Sequence, residues 1–271
     1  MKLSTWNWTA AVANGASALG LGIWFLLNKG NINFNTTLYN LHITDFNVDN
    51  PEASILTPTP ALAITGLVMK ILVVVYFLFT AFFHILYATD AFGTGAYSRA
   101  IARQNNWFRW IEYAISSTIM TFLISIICGV KSLDAVILLV VMNVGMILCG
   151  QIAEAASGPN ATNIKIIATV IGWVLLAGIV FIFFKNFFMG LSDAKTNGFK
   201  VPTWVYLIIF PLVAWYASFG FVSLWQAFGK NHTVQQYLKI EKAYIILSLF
   251  SKINLGYFIA FGLTRPKPEE A

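Results

Sequence analysis

Charge is what this chain has least of. Only 10% of its 271 residues are Asp, Glu, Lys or Arg, against the ~25% of an ordinary soluble domain. That shortage excludes a soluble globular fold. With 58% hydrophobic residues, it points to an integral, multi-pass protein of the plasma or cell membrane. Basic residues outnumber acidic ones, 17 to 11, but they are scattered. No basic cluster is dense enough for nucleic acid, so the excess reads as loop bias and affinity for anionic membrane lipid. Cysteine is nearly absent: Cys128 and Cys149 lie in or beside apolar runs without metal-ligand spacing, so neither a disulfide framework nor a metal site is expected. Internal repeats, low-complexity tracts and a splitting linker are also missing. So is a leader with a small-residue cleavage site, since the first apolar run is too long for one.

What the chain has instead is long apolar runs. Seven spans, 7–27, 61–89, 106–129, 133–152, 164–189, 203–228 and 240–263, suffice to cross a hydrocarbon core of ~30 Å. The expected fold is an all-α membrane protein, a seven-transmembrane helix bundle forming one domain over residues 1–265, with a short tail at 266–271. Residues 28–60 make the longest connection. Within it Tyr39, Leu41 and Ile43 alternate with polar residues, which predicts a short exposed strand pair. Thr57-Pro58-Thr59-Pro60 is read as the first turn of the second helix, where proline is tolerated.

An odd number of spans puts the two termini on opposite sides. Arg99, Arg103 and Arg109 gather around the second connection, whereas the first carries Asp45, Asp49 and Glu52 with only Lys29. The positive-inside rule then favours an N-terminus in the cytoplasm and a C-terminus outside.

The seventh span carries a lysine at its centre. Lys252 stands 13 residues beyond Lys239, or ~20 Å at helical rise, a depth at which a bare ammonium is costly. An anion is available in the third span. Glu112 lies nine residues beyond Arg103, or ~14 Å, with Arg109 one turn before it and Ser116 one turn after. Ser248 precedes Lys252 by one turn. His84 and Asn14 reach a similar level from the second and first spans, so Asn14, His84, Glu112 and Arg109 are expected to gather in the inner half of the bundle. Plainer readings exist for most of these. His84 suits a hydrogen-bonded core histidine, the serines can bond back to their own helices, Arg109 can anchor a headgroup, and Phe210, Trp215, Tyr216 and Phe219 can simply fill space. The Glu112–Lys252 pair resists such treatment, because either charge alone in the bilayer costs several kcal/mol.

One lysine in the last of seven helices, with a carboxylate three residues after an arginine in the third, resembles the microbial rhodopsin pattern. The finer wording is similar to the heliorhodopsins. The stretch Arg103-Gln104-Asn105-Asn106-Trp107-Phe108-Arg109-Trp110-Ile111-Glu112-Tyr113 carries that resemblance, as do Ile127-Cys128-Gly129 and the run from Glu241 to Lys252. Asn143-Val144-Gly145-Met146 and His84 after Phe82-Phe83 fit as well, and the likeness covers nearly the whole chain. It implies a rhodopsin-like bundle of inverted topology and a dimer. It further implies all-trans retinal held on Lys252 as a protonated Schiff base, with Glu112 as sole carboxylate counterion. Ser248, Ser116, Ser117, Tyr113, Met120, Asn143, Met146, Trp215 and Tyr216 would surround the chromophore, and His84, Asn14 and Arg109 would form the inner proton-accepting cluster.

Two departures bear on function. Rhodopsin proton pumps carry a second carboxylate four residues before the lysine and usually an acidic donor eleven residues past the counterion; here Ser248 and Leu123 occupy those positions. Asn14 stands where many heliorhodopsins have a histidine, which leaves proton acceptance to His84. The expectation is a photoreceptor with a slow sensory cycle, signalling to an unidentified cytoplasmic or membrane partner. It is not an enzyme and not an outward proton pump. The alternative is a light-gated proton channel. A retinal-free transporter or lipid-modifying enzyme would need a polar substrate path or a nucleophile–base pair, and the sequence offers neither.

Overall fold

Apolar runs this long have one stable conformation in lipid, the α-helix, because it satisfies every backbone donor and acceptor within the segment. The computed structural model describes residues 2–28, 34–45, 55–91, 95–198, 203–229 and 233–264. In chain order these form α1 (Leu3–Leu27), β1 (Asn35–Asp45), β2 (Ile55–Thr65), α2 (Gly66–Thr89), α3 (Ala96–Ala102), α4 (Trp107–Ile127), α5 (Leu133–Ala155), α6 (Ala161–Thr196), α7 (Thr203–Phe228) and α8 (Val234–Leu263). Seven of these helices are long and apolar enough to cross a membrane. They correspond to the seven expected spans, with α6 and α8 extending well beyond the expected limits. At 36 residues, α6 measures ~54 Å, longer than a hydrocarbon core of ~30 Å.

The first connection differs from expectation. Its strands are 11 residues each, antiparallel, and docked onto the bundle rather than simply exposed. Leu38, outside the Tyr39–Leu41–Ile43 alternation, is the residue that turns inward: it is fully buried with Ile64, while Leu41 is exposed. Tyr39 N–H donates to the Lys131 carbonyl at 2.8 Å, which ties the hairpin to the α4–α5 turn. Pro58 and Pro60 do not start α2. They lie in β2 opposite Leu41 and Tyr39, beside an irregularity at Leu38/Tyr39. A two-stranded ribbon consists only of edges, so proline's missing N–H costs no ladder bond there. The helix starts later, where the Thr65 hydroxyl accepts from Val68 N–H at 3.4 Å.

The short α3 is additional to the seven expected spans. Asp90, with φ of 54°, ends α2, and its carboxylate accepts from Tyr97 N–H at 2.9 Å, capping the new helix. Lys29, Asp49, Glu52 and the tail 266–271 lie outside the described residues.

Two buried regions flank the centre of the bundle. Toward the hairpin, Leu21, Phe25, Val73, Phe77, Leu123, Leu139, Leu255 and Ile259 form an apolar core joined by Leu38 and Ile64. At the opposite end Tyr87, Tyr97, Ile101, Phe108 and Tyr237 pack together. Thr80, Glu112, Ser116, Ser248 and Lys252 are buried between them.

Candidate functional site

In α8 the buried residues Glu241, Tyr244, Ile245, Ser248, Ser251, Lys252 and Leu255 recur every three or four positions, so they share one inward stripe. Lys252 Nζ donates to Glu112 Oε1 at 2.9 Å and to Ser248 Oγ at 2.8 Å. The same carboxylate oxygen accepts from Ser116 Oγ and Thr80 Oγ1, each at 3.2 Å. Side chains on a helix lean toward its N-terminus, so the amine lies about one turn nearer the start of α8 than the Lys252 Cα, level with Ser248. That lean closes the difference in depth between the lysine and the glutamate. Both side chains are sealed, 2% and 1% accessible. The pair is an ion pair removed from water, whose members tolerate burial only together.

Beside this pair lies a cavity. Its walls include Tyr113, Ser116, Ser117, Met120, Asn143, Met146, Trp215, Tyr216, Ser248 and Lys252, all positions expected from the sequence. Trp110, Trp173, Leu212 and Phe219 add to the apolar surface. Asn143 Nδ2 donates to Ser117 Oγ at 2.8 Å, Tyr113 donates to the Tyr244 carbonyl at 3.0 Å, and Tyr216 is 2.6 Å from Thr121 Oγ1. Trp215 stacks on Phe250, 6.1 Å between centroids. Two wall rings lie against glycines: a Cβ on Gly150 would stand 2.4 Å from Trp110, and one on Gly220 would stand 2.9 Å from Trp173. A primary amine at an aromatic-walled cavity, with a carboxylate against it, fits an apolar aldehyde condensed on the lysine. The iminium so formed needs a neighbouring anion.

The expected inner polar cluster does not form as one unit. His84 is buried, with Nδ1 2.9 Å from Asn7 Oδ1, and Asn7 Nδ2 donates to Tyr97 Oη at 3.3 Å. Asn14 is equally buried, but it donates to the Ala10 carbonyl of its own helix at 2.8 Å. Asn7, not Asn14, is therefore the partner of His84. Asn7 lies two turns before Asn14 on the same face of α1, so the sequence itself carries a signal for it.

Arg109 also parts from His84. Its guanidinium bonds to Glu241 Oε1, to Glu154 Oε2 at 2.6 Å and to Gln226 Oε1 at 3.2 Å, and stands 4.0 Å from the centroid of the Tyr244 ring. Glu154 further accepts from Trp110 Nε1, Tyr237 Oη and Asn106 N–H, and Glu241 accepts from Asn106 Nδ2 at 2.9 Å. The arginine is thus a buried tie among α4, α5, α7 and α8 rather than a headgroup anchor. Glu112 is not alone as a buried carboxylate, although among the described residues it is the sole ion-pair partner of Lys252. Glu154 and Glu241 lie near predicted helix ends, so their spacing alone gave no sign of burial. No metal-ligating cluster occurs among the described residues.

A family model described as Heliorhodopsin matches residues 3–264. No curated protein matches the chain. Solved structures similar to it include a thermophilic rhodopsin from Rubrobacter xylanophilus, at 14% identity and TM-score 0.64, covering 97% of this chain and 96% of that one. Cyanorhodopsin from the cyanobacterium Tolypothrix is similar at 12% identity and TM-score 0.63, covering 96% and 94%. The light-driven proton pump of Leptosphaeria maculans is similar at 15% and 0.63, covering 96% and 95%. Likeness at such identities establishes the rhodopsin fold and transfers no activity.

Proposed function

The chain belongs to the heliorhodopsin family, and on that premise we propose that this retinal photoreceptor is a light sensor, holding all-trans retinal as a protonated Schiff base on Lys252 with Glu112 as counterion. The observation that carries the proposal is the sealed Lys252–Glu112 pair at 2.9 Å, set beside an aromatic-walled cavity. When bound, retinal supplies absorption of visible light and an isomerisation that displaces charge at the nitrogen of Lys252. The protein's own residues do the rest. Glu112 neutralises the positive charge on Nζ, while Ser248, Ser116 and Thr80 hold amine and carboxylate in register. Tyr113, Trp110, Trp215 and Phe219 keep water from the cavity. His84, one turn inward of Thr80 on α2 and bonded to Asn7, receives a proton released toward the inner face.

A sensor rather than a pump is favoured by Ser248 and by Leu123, which is fully buried in the apolar core. Neither position carries the carboxylate that a pump's relay uses. Output is expected along α8, which carries both Lys252 and Glu241, so a shift at the lysine reaches the Arg109 cluster and the inner face beyond it. On this reading the N-terminus is cytoplasmic, the protein forms a homodimer in lipid, and an inner-face or membrane partner receives the signal. No enzymatic reaction is assigned to the chain.

The test is purification with all-trans retinal, followed by flash spectroscopy and electrical recording in a voltage-clamped membrane. A visible band, a slow photocycle and no sustained photocurrent are expected. A sustained passive proton current would establish the channel reading instead. A protein that stays colourless would refute both.

A further inference from the structure

Tyr76 is wholly buried, its ring tilted against Phe77 with centroids 4.6 Å apart. Its hydroxyl donates to the backbone carbonyl of Lys252 at 2.8 Å. Within an α-helix that carbonyl is the acceptor for the N–H of Gly256, so a side chain from α2 reaches into the hydrogen-bond ladder of α8 at the functional lysine itself. Gly256 makes room for it. A Cβ there would lie 2.4 Å from Tyr76 Oη and 2.4 Å from Phe77 Cε2, closer than atoms of a folded interior approach. One turn along the same face of α2, Thr80 donates to Glu112 Oε1 at 3.2 Å. A single stripe of α2 therefore grips both members of the ion pair, one by its backbone and the other by its carboxylate.

We propose that Tyr76 is a positioning residue that, with Gly256, fixes the depth and rotation of Lys252 so that α2 sets the distance between Nζ and Glu112. The alternative is a buried tyrosine that found a carbonyl and influences only stability. Tyr87 provides the matched comparison: it lies on the same helix, is buried, and donates to the Phe108 carbonyl at 3.0 Å rather than to either member of the ion pair. The optical part of the proposal rests on the pigment reading above; the bond and its grip on Lys252 belong equally to the protein without chromophore.

The experiment compares Tyr76→Phe and Tyr87→Phe in the full chain. Each loses a hydroxyl and keeps its ring, so a similar small fall in melting temperature is expected for both. Only Tyr76→Phe is expected to shift the visible band and to lower the titration midpoint of the pigment, by about one pH unit, a tenfold loss of proton affinity. In the chromophore-free protein, reductive methylation of Lys252 read by mass spectrometry should quicken severalfold in Tyr76→Phe alone. In [1-13C]lysine-labelled protein, one lysine carbonyl band should move to higher frequency in that variant. Gly256→Ala, which drives the hydroxyl off the carbonyl without removing it, should reproduce these changes and serves if Tyr76→Phe does not fold. If the band, midpoint and methylation rate of Tyr76→Phe match those of Tyr87→Phe, Tyr76 is structural only. If the labelled carbonyl does not move, the bond itself is refuted. Because methylation and infrared readouts need no retinal, they decide the matter even should the protein prove colourless.

Discussion

Glu241 precedes Lys252 by three helical turns on one face of α8, and each is paired with a residue of α4, Glu241 with Arg109 and Lys252 with Glu112. The α4 partners are only three residues apart and the α8 partners eleven. Long side chains absorb the mismatch. Lysine and arginine both lean back along their helices, the former to the level of Ser248 and the latter over the ring of Tyr244. Two ion pairs of opposite orientation thus join the same two helices at two depths, one beside the cavity and one nearer the N-terminus of α8.

Lys252→Ala removes the only lysine amine among the described residues that line the cavity. The purified variant, supplied with retinal, is expected to show no visible band and no mass adduct. An adduct found at another lysine would move the site.

Glu112→Gln leaves the charge on Lys252 without its ion pair. A nearby carboxylate stabilises the protonated form, so its loss lowers the proton affinity of the linkage. The visible band should shift, and a pH titration should show deprotonation beginning at lower pH than in the parent. An unchanged titration would place the counterion elsewhere.

Arg109→Ala strands Glu154 and Glu241 in the interior. Breaking a buried pair from one side typically costs ~3–5 kcal/mol, which should appear as a marked fall in melting temperature. Arg109→Ala combined with Glu154→Gln and Glu241→Gln should recover part of that loss, since no uncompensated charge remains.

His84→Ala should change the decay of flash-induced absorbance while leaving the dark spectrum close to that of the parent, because His84 bonds to Asn7 rather than to the Lys252–Glu112 pair. Asn7→Ala should act in the same direction and Asn14→Ala should not. Identical kinetics in His84→Ala would return the histidine to a packing role.

Orientation is open to chemical labelling. In a background with Cys128 and Cys149 replaced, a cysteine at Thr59 in the hairpin should react with a membrane-impermeant maleimide on intact cells, and one at Ser98 in α3 should react only after lysis. The opposite pattern would reverse the topology.

Much of the chain was legible in one dimension because lipid removes choices. A long apolar run must be a helix, and a charge within it must find a partner at its own depth, which singled out Lys252 and Glu112. Depth also held the answer for His84. It lies five residues before the end of α2, and Asn7 lies four after the start of α1, so the two meet where α1 and α2 run antiparallel; Asn14 is seven residues too far along. Helical spacing alone does not separate Asn7 from Asn14, which lie seven residues apart on one face of α1.

What only the tertiary structure decided is which way side chains turn across helix boundaries. Nothing local distinguishes an arginine that meets a headgroup from one that enters the bundle, and Arg109 enters because α5 and α8 bring Glu154 and Glu241 to the same point. Leu38 turns inward because the α4–α5 turn lies beneath the hairpin, and the prolines of β2 are tolerated because that strand has a free edge. The hydroxyl of Tyr76 reaches the Lys252 carbonyl only because Gly256, on another helix, has no side chain to keep it out. Burial in lipid fixes what each segment is; the fit between segments fixes what each polar atom touches.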